Sequence, residues 1–360
     1  MKFEKTVIDS HVHLHKYKNE EGIDLYTFFD SMQARLGHKA LNICACPCVL
    51  DKTTGGCWGV ENNILAALYK LHNPTAYAYG GFFYPNMPME GPMPAGMELD
   101  TQYRELMDLG FDGIKLLETK AEEQKKFGLF VDDERFEPFF AQCERDGTHI
   151  VWHVADPDSF WDLKRIHPRH LAKGWYYGEG DYLSWQEIYD MVFRVLERHP
   201  KLKVTFAHFF FWSPWPEKLE ELFETYEYVT VDITPGAEMY GFFRDQYQRY
   251  RNFFIRHADR ILYGTDVSFP SSKTNSLRPE QVYRFLTTDE ELTLVDIPTR
   301  GLNLPEEASQ RILYRNFEDM TGLAPKPVDR AKLRRYIEKY LPYIQDQEAL
   351  THIRQRMDTL

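Results

Sequence analysis

The 360-residue sequence has little positive charge and no long apolar run, and each shortage excludes a class of protein. Its 43 lysines and arginines are outnumbered by 55 aspartates and glutamates, and a formal net charge of -12 argues against binding to nucleic acid or anionic lipid. No segment approaches the run of about 20 apolar residues that spans a bilayer, and the amino terminus shows no leader. We therefore expect a cytoplasmic protein with a small-molecule partner and with neither a nucleic-acid nor a membrane partner.

Cysteine is also scarce, since the chain has only five. An odd number in a long chain fits reduced thiols better than a disulfide framework. Three of them alternate in the stretch CACPC, as Cys44, Cys46 and Cys48, and would share one face of a strand. A thiolate site is one interpretation, but the CxxC spacing of structural zinc sites is missing, so we favour a buried strand.

A glycine-rich phosphate loop is missing as well, because the glycine pairs that begin at Gly55 and Gly80 lack the further glycine that such a loop needs. This disfavours a doubly wound open sheet. Eight short apolar runs alternate with segments of helical periodicity, which is the count of a (β/α)8 barrel. The runs are TVIDSHVHL, ALNICACPCV, TAYAYGGFFYP, FDGIKLLE, HIVWHVAD, KVTFAHF, YVTVDITPG and RILYGTDVSF.

We expect two units along the chain. Residues 1–322 would form an α/β TIM barrel with long loops after its strands, and residues 323–360 a helical extension. The extension is amphipathic, so it packs either on its own barrel or at a subunit interface of a homo-oligomer.

Long loops rich in aromatic residues would surround the carboxyl ends of the strands and favour a flat or cyclic ligand. The aromatic residues are Trp58, Phe160, Trp161, Trp175, Tyr176, Tyr177, Phe210, Trp212 and Trp215. Four cations in these loops would hold a carboxylate or remain solvated, namely Arg169, Lys173, Lys273 and Arg278.

Polar side chains of the metal-ligating type end four of the predicted strands. These are His11 and His13 on the first strand, His153 on the fifth, His208 on the sixth and Asp266 on the eighth. Parallel strands of a barrel end at the same mouth, so we expect the five side chains to converge. Imidazole and carboxylate together suit zinc and related divalent ions.

These motifs, namely HxH at His11 and His13, AHF at the sixth strand and RILYGTD at the eighth, resemble the amidohydrolase superfamily. The closest resemblance is to the amidohydrolase-related branch that includes aminocarboxymuconate semialdehyde decarboxylase. It implies one divalent metal ion, zinc first and manganese or iron as alternatives, held by His11, His13, His153 and Asp266. It also implies that Asp266 and the nearby His208 act in catalysis, as proton carrier and carbonyl-polarising group.

Other polar residues near the mouth have alternative interpretations. Lys115 is a candidate bridging ligand for a second metal, which we do not favour, and Glu118 is either near the mouth or an exposed loop carboxylate. Asp9 has the same parity as His11 and would orient a ligand. Asp232 would contact substrate or cap the turn after its strand.

Three activities remain open from the sequence. Metal-dependent hydrolysis of an amide, ester or lactone follows most directly from the ligand set. Nonoxidative decarboxylation or hydration of an unsaturated or aromatic acid is the alternative that the resemblance implies. A mouth that is more aromatic than basic favours hydrolysis, and a barrel that binds without turnover is the third interpretation.

Overall fold

A computed structural model describes residues 2–50, 59–86, 88–270 and 275–360. The strands are β1 Ile8–Leu14, β2 Ala40–Cys44, β3 Cys48–Val49, β4 Tyr77–Gly80, β5 Phe83–Tyr84, β6 Gly113–Thr119, β7 His149–Val154, β8 Lys203–Phe206, β9 Val229–Asp232, β10 Ile261–Leu262, β11 Val267–Phe269, β12 Glu291–Leu294 and β13 Ile297–Arg300. The α-helices are α1 Leu25–Leu36, α2 Glu61–His72, α3 Leu99–Leu109, α4 Ala121–Phe127, α5 Glu137–Asp146, α6 Pro168–Leu171, α7 Trp185–Arg198, α8 Pro216–Thr225, α9 Met239–Asp245, α10 Tyr247–Arg256, α11 Arg278–Thr287, α12 Glu306–Gln310, α13 Asn316–Thr321, α14 Arg330–Tyr340 and α15 Gln347–Met357. Five 3-10 segments and one π-helical segment connect some of them, at Asp158–Trp161, Ala207–Phe211, Ala258–Arg260, Asn275–Leu277, Leu341–Tyr343 and Arg311–Arg315.

Nine parallel strands form the central sheet in the order β10, β9, β8, β7, β6, β4, β2, β1, β11. The two outermost strands are consecutive pieces of one chain segment. The residues that connect these two strands bond to β1: the Tyr263 carbonyl accepts from Ser10 N at 3.1 Å, and Asp266 N donates to the His11 carbonyl at 2.8 Å. These hydrogen bonds join β1 to the eighth strand position, so the sheet closes and the predicted TIM barrel is confirmed.

A small cluster of side chains fills the barrel, while a larger core lies between the sheet and the helices. The interior cluster comprises Ile8, Ala40, Cys44, Tyr77, Tyr79, Val151, Leu262 and Phe317. Cys44, Cys46 and Cys48 are buried free thiols, so their burial was predicted correctly. The single strand was not, because β2 ends at Cys44 and β3 begins at Cys48, with Cys46 in the connection between them. Packing therefore occupies the lower barrel and leaves the carboxyl ends of the strands to the polar residues.

The first strand carries a β-bulge that changes the predicted side-chain alternation. Asp9 pairs with Leu41 but Val12 pairs with Ile43, so one extra residue lies in β1 between these pairs. Leu41 belongs to the outer core, which places Asp9 on the face opposite to His13. The prediction that Asp9 shares a face with the histidines was wrong because alternation fails across a bulge.

Local sequence signals account for the helix that follows the longest loop. Ser184 accepts from Glu187 N at 3.2 Å, and the Glu187 carboxylate accepts from Ser184 N at 2.8 Å. This reciprocal capping box begins α7, and the buried face of that helix packs on the barrel. The residues between β7 and α7 follow the carboxyl end of a barrel strand, so they lie at the mouth.

The carboxyl-terminal helices α14 and α15 pack on the barrel helices α2 and α3. Tyr336, Ile337 and Ile353 are buried in this contact, and Asn63 donates to the Tyr336 hydroxyl at 3.0 Å. The division of the chain at residue 322 and a role of the extension in a subunit interface stay predictions. Within the described ranges, the helices all lack the length and apolar character of a bilayer span.

A buried histidine in the lower barrel makes stability depend on pH. His149 lies against the Tyr79 hydroxyl at 2.6 Å and the Thr205 hydroxyl at 2.7 Å, and burial lowers its pKa from 6.5 to about 3. The neutral ring is favoured in the folded chain, so its contribution is present above pH 6.5 and is lost as the pH falls towards 3. We expect a loss of about 1.4 kcal/mol per pH unit below 6.5 from this residue.

Thermal unfolding of His149→Gln between pH 7.5 and 5 checks this expectation. The melting temperature of the variant should fall less steeply with acid than that of the wild type. The control His167→Gln changes an exposed histidine and should keep the wild-type slope. A His149→Gln slope equal to that of wild type would contradict the assignment.

Candidate metal centre

Three of the predicted ligands meet at the mouth of the barrel. Ligand atoms of His11, His13 and Asp266 all lie within 4.8 Å of one another. The two histidine Nε2 atoms are 2.9 Å apart, and His13 Nε2 is 3.3 Å from Asp266 Oδ1. Both histidines lie in the second half of β1, and Asp266 immediately precedes β11, the neighbouring strand.

Hydrogen bonds at the opposite ring nitrogens aim both imidazoles into this space. Asp232 Oδ2 accepts from His11 Nδ1 at 2.8 Å, and the Cys44 carbonyl accepts from His13 Nδ1 at 2.7 Å. With the proton on Nδ1, each Nε2 presents a lone pair to the other ring. Two facing lone pairs beside a carboxylate fit a divalent cation, and ligating histidines are typically oriented in this way.

The electrostatics of the cluster keep its carboxylates charged. Burial works to raise the pKa of Asp232, but the adjacent His11 outweighs it and the pKa falls to about 2. Burial likewise opposes ionisation of Asp266, whose pKa His13 nevertheless lowers well below its ordinary value. Burial also lowers the pKa of His11 to about 3, so its ring is neutral at pH 7. Burial opposes protonation of His13 as well, but the adjacent Cys46 sulfur and Asp266 carboxylate outweigh it and raise the pKa of His13 to about 10. Metal is bound by neutral imidazole and ionised carboxylate, so binding of an ion here would release the proton of His13.

His153 and His208 form a second pair next to the first. His153 Nδ1 and His208 Nε2 are 3.2 Å apart, and the rings of His208 and His11 have centroids 6.0 Å apart. The remaining nitrogens bond to the carbonyls of Ala155, at 2.9 Å from His153, and Thr234, at 3.2 Å from His208. The structure therefore brings all five predicted residues to one mouth but groups His153 with His208. That His153 ligates a metal, and that His208 and Asp266 act in catalysis, stay predictions.

His208 begins four consecutive residues in the left-handed region, with φ from 56° at His208 to 52° at Phe211. Such a conformation costs non-glycine residues about 1 kcal/mol or more each. Two hydrogen bonds hold the turn: Asp232 Oδ1 accepts from His208 N at 2.8 Å, and the Phe210 carbonyl accepts from the Tyr189 hydroxyl at 2.6 Å. These hydrogen bonds hold the turn against its backbone strain and thereby fix the position of His208.

Two charged residues of the mouth were not predicted from the sequence. Asp156 Oδ1 lies 3.8 Å from His153 Nε2, and its Oδ2 forms an ion pair with Lys120 at 3.2 Å. Lys120 Nζ also lies over the rings of Trp175 and Tyr177. Lys120 directly follows β6 and Asp156 follows β7 after one residue, and these positions were the available signal.

The other candidate residues are distributed as follows. Arg278 reaches the site, donating to the Asp266 carbonyl at 3.0 Å, whereas Arg169 pairs with Asp296 and Lys173 lies over Trp175. Lys273 and Trp58 lie outside the described residues.

Two polar residues of β6 are fully buried. Glu118 accepts from the Tyr84 hydroxyl at 2.6 Å, so the expectation of an exposed loop carboxylate was wrong, because the strand continues past it to Thr119. Lys115 enters the barrel interior beside the site.

Asp232 and Asp9 act on the site through other residues. Asp232 accepts from Thr234 N at 3.0 Å, so the turn cap was predicted correctly, but its contact with His11 was not foreseen. Asp9 accepts from the Thr265 hydroxyl at 2.6 Å and from His11 N at 3.3 Å. It therefore ties together the backbones of the two strands that carry the ligand cluster.

Comparison with known proteins defines the family. The amidohydrolase family profile matches residues 78–320, more than half of the chain, and the protein belongs to this family. The expected resemblance is confirmed, and with it an enzyme fold of a family that uses a divalent metal ion. No curated protein is similar enough in sequence to add to this assignment.

Solved structures share the fold at low sequence identity. A 2,6-dihydroxybenzoate decarboxylase from Rhizobium is 15% identical over 90% of this chain and 99% of its own, with a TM-score of 0.54. A dihydroxybenzoic acid decarboxylase from Polaromonas, with bound manganese and the inhibitor 2-nitroresorcinol, is 15% identical over 88% and 97%, with a TM-score of 0.51. An uncharacterized TIM-barrel protein from Bordetella bronchiseptica is 16% identical over 88% and 98%, with a TM-score of 0.50.

The ligand cluster predicts which substitutions remove the metal. His11→Ala or Asp266→Ala should abolish bound metal while the protein stays folded, because each removes one of three clustered donors. His208→Ala should retain the metal and lose turnover. Elemental analysis by plasma mass spectrometry, with circular dichroism as the folding control, checks both statements. Full metal content in His11→Ala and Asp266→Ala would overturn the assignment.

Asp232 should tune metal affinity without touching the metal. Asp232→Asn replaces the charged acceptor of His11 Nδ1 by a neutral amide, and we expect metal affinity to fall about 10- to 100-fold. Competition with a chelator measures the change. The control Glu118→Gln alters a buried carboxylate that is bonded to Tyr84 instead, and its affinity should stay near that of wild type. Equal affinities in the two variants would contradict the orienting role.

Proposed function

We propose that the protein catalyses the nonoxidative decarboxylation of a small aromatic or unsaturated carboxylic acid, dependent on one divalent metal ion. His11, His13 and Asp266 would hold the ion, with His153 as fourth ligand. Zinc is our first choice and manganese or iron the alternatives, since all three accept nitrogen and oxygen donors. When bound, such an ion supplies a Lewis acid that polarises an oxygen of the substrate or of water.

The observation that carries this proposal is the positive charge gathered around the ligand cluster. Arg278 Nη1 lies 3.7 Å from Asp266 Oδ2, and Lys120 is paired with Asp156 next to His153. Both cations are largely shielded from solvent, and Lys115 is fully buried. The sequence alone favours hydrolysis, because the predicted mouth is more aromatic than basic. One buried cation, Lys115, and two half-buried cations, Lys120 and Arg278, reverse that preference, because an acid substrate needs positive partners.

Aromatic side chains at the same mouth suit a flat acid. Trp175 and Tyr177 lie against Lys120, and the Phe211 ring stacks on His208 with centroids 5.1 Å apart. A planar substrate between these faces would direct its carboxylate at the cations. The decarboxylases from Rhizobium and Polaromonas share this fold and act on dihydroxybenzoic acids, which supports the same substrate class here.

In the proposed reaction, the bond between the carboxylate and the adjacent carbon breaks, carbon dioxide leaves, and that carbon keeps the electron pair and takes up a proton. His208 is the proton donor we assign. Its Nδ1 is held by Thr234, so its Nε2 faces the mouth beside His153 Nδ1, 3.2 Å away. A proton at this atom can pass to the substrate carbon, and water restores it afterwards. Arg278 and Lys120 orient the acid and stabilise charge that develops during cleavage.

Hydrolysis of an amide, ester or lactone is the second candidate. The clustered imidazoles and carboxylate favour it, because a metal ion held by them would activate water. In that reaction Asp266 would take the proton of the attacking water and return it to the leaving group, and His208 would polarise the carbonyl. The two reactions differ in their products, which makes them separable by experiment.

Release of carbon dioxide from a panel of hydroxybenzoic and unsaturated acids, by metal-loaded protein, tests the first proposal. Arg278→Gln should lower kcat/KM for the active acid about 10-fold or more, because the neutral amide cannot form a charged contact with a carboxylate. The matched control Arg169→Gln changes a loop arginine that pairs with Asp296, and it should keep activity near that of wild type.

Product analysis decides between the candidates. Carbon dioxide and the decarboxylated ring from at least one acid support the lyase. Hydrolysis of lactones or amides, with all acids left intact, would contradict decarboxylation and favour the hydrolase. Equal losses in Arg278→Gln and Arg169→Gln would remove Arg278 from substrate binding.

A further inference from the structure

Lys115 is a fully buried cation at the centre of the molecule. It lies in the middle of β6 and pairs with Val151, a member of the interior cluster, so its side chain enters the barrel. Its exposed fraction is 0%, and among the described residues its Nζ has no hydrogen-bond partner. An ammonium in this state is unfavourable, because burial removes its hydration and nothing replaces it.

The neighbours of Lys115 are the two halves of the candidate site. Val151 and His153 are two residues apart on β7 and share its inward face, so Lys115 and His153 face the same interior space. Electrostatic repulsion also couples Lys115 to His11 and to His153, so both rings are within interaction range of the ammonium. Since Lys115 pairs with Val151, it lies two residues before the level of His153, which places it beneath the mouth.

The buried carboxylate on the same strand does not serve as the counter-ion. Glu118 lies three residues further along β6, but its oxygens accept from the Tyr84 hydroxyl at 2.6 Å and from Leu117 N at 2.8 Å. Burial raises the pKa of Glu118, and Lys115 opposes this shift only weakly. A divalent ion held by His11 and His13 would add still more positive charge near Lys115. The ionised carboxylates of Asp232 and Asp266 would match the two charges of the ion, so the ammonium of Lys115 would be balanced only when a further anion enters.

We propose that Lys115 receives a carboxylate of the substrate at the side of the site formed by His11 and His153. The inference rests on the proposed function in taking the ligand to be a carboxylic acid. It assigns the innermost charged contact of that acid to Lys115, beneath the cations Lys120 and Arg278 at the rim. Such a residue determines specificity, since an uncharged analogue would leave the ammonium buried and unpaired.

Two probes that differ in charge but hardly in shape test the assignment, namely benzoate and benzamide. Isothermal titration calorimetry on the zinc-loaded full-length chain would compare wild type with Lys115→Met, which keeps the length of the side chain and removes its charge. The matched control is Lys201→Met, at an exposed lysine that precedes β8 at the opposite end of the barrel. Zinc equivalents and melting temperature are recorded for every variant.

The expected result is that Lys115→Met weakens benzoate binding about 10-fold or more and changes benzamide binding less than about twofold. Its zinc content should equal that of wild type, and its melting temperature should be equal or higher, because an unpaired buried charge is removed. Lys201→Met should match wild type in all measurements.

Five results would overturn the proposal: unchanged benzoate binding in Lys115→Met, equal weakening of both probes, loss of zinc, a clearly lower melting temperature, or a wild type that does not distinguish benzoate from benzamide. Loss of zinc would mean that Lys115 holds the metal. A lower melting temperature would mean that the ammonium has a stabilising partner. Benzoate binding is measured without turnover. If benzoate affinity depends on Lys115, the role of Lys115 is therefore supported even if the protein decarboxylates no acid. If the protein turns over acids but Lys115→Met binds benzoate as wild type does, the proposed function would stand and the role of Lys115 would be wrong.

Discussion

The carboxylate of Asp232 is the interaction on which the candidate site depends. One oxygen accepts from the ring of His11, and the other accepts from the backbone nitrogens of His208 and Thr234. A single buried charge at the end of β9 thereby orients His11 of the ligand cluster and positions the left-handed turn that carries His208. Because His11 lowers its pKa to about 2, this charge persists throughout the physiological pH range.

Closure of the barrel supplies the rigidity that this arrangement requires. Left-handed backbone follows three of the described barrel strands, with φ of 54° at Ala155, 56° at His208 and 53° at Asp266. Each is held by a neighbouring strand: Asp266 N, for example, donates to the His11 carbonyl at 2.8 Å. Unfavourable backbone conformations persist where surrounding contacts determine them, and they concentrate at functional sites. The well-packed interior below the site keeps these strand ends in place.

The sequence allowed much of the architecture to be predicted but less of the detailed contacts. Strand count, barrel closure and the convergence of His11, His13 and Asp266 followed from periodicity and from the position of polar residues at strand ends. The face of Asp9 could not be predicted, because a bulge in β1 leaves no mark in the alternation. The turn after β8 was equally hidden, since no glycine marks its left-handed residues.

Charge pairing was the other feature that could not be predicted from the sequence. Lys120 and Asp156 are 36 positions apart, so only the adjacency of β6 and β7 brings them together. The contact of Asp232 with His11 spans 221 positions and depends on the closed barrel. The basic character of the mouth was therefore underestimated, and this changed which reaction we favour.

The most direct test of the central claim is an anomalous-difference map from crystals of the zinc-loaded protein, recorded at the zinc absorption edge. The account predicts one strong peak among His11 Nε2, His13 Nε2 and the Asp266 carboxylate, with Asp232 still bonded to His11 Nδ1. A peak bound elsewhere, or no peak in this cluster from protein that has zinc in solution, would contradict it.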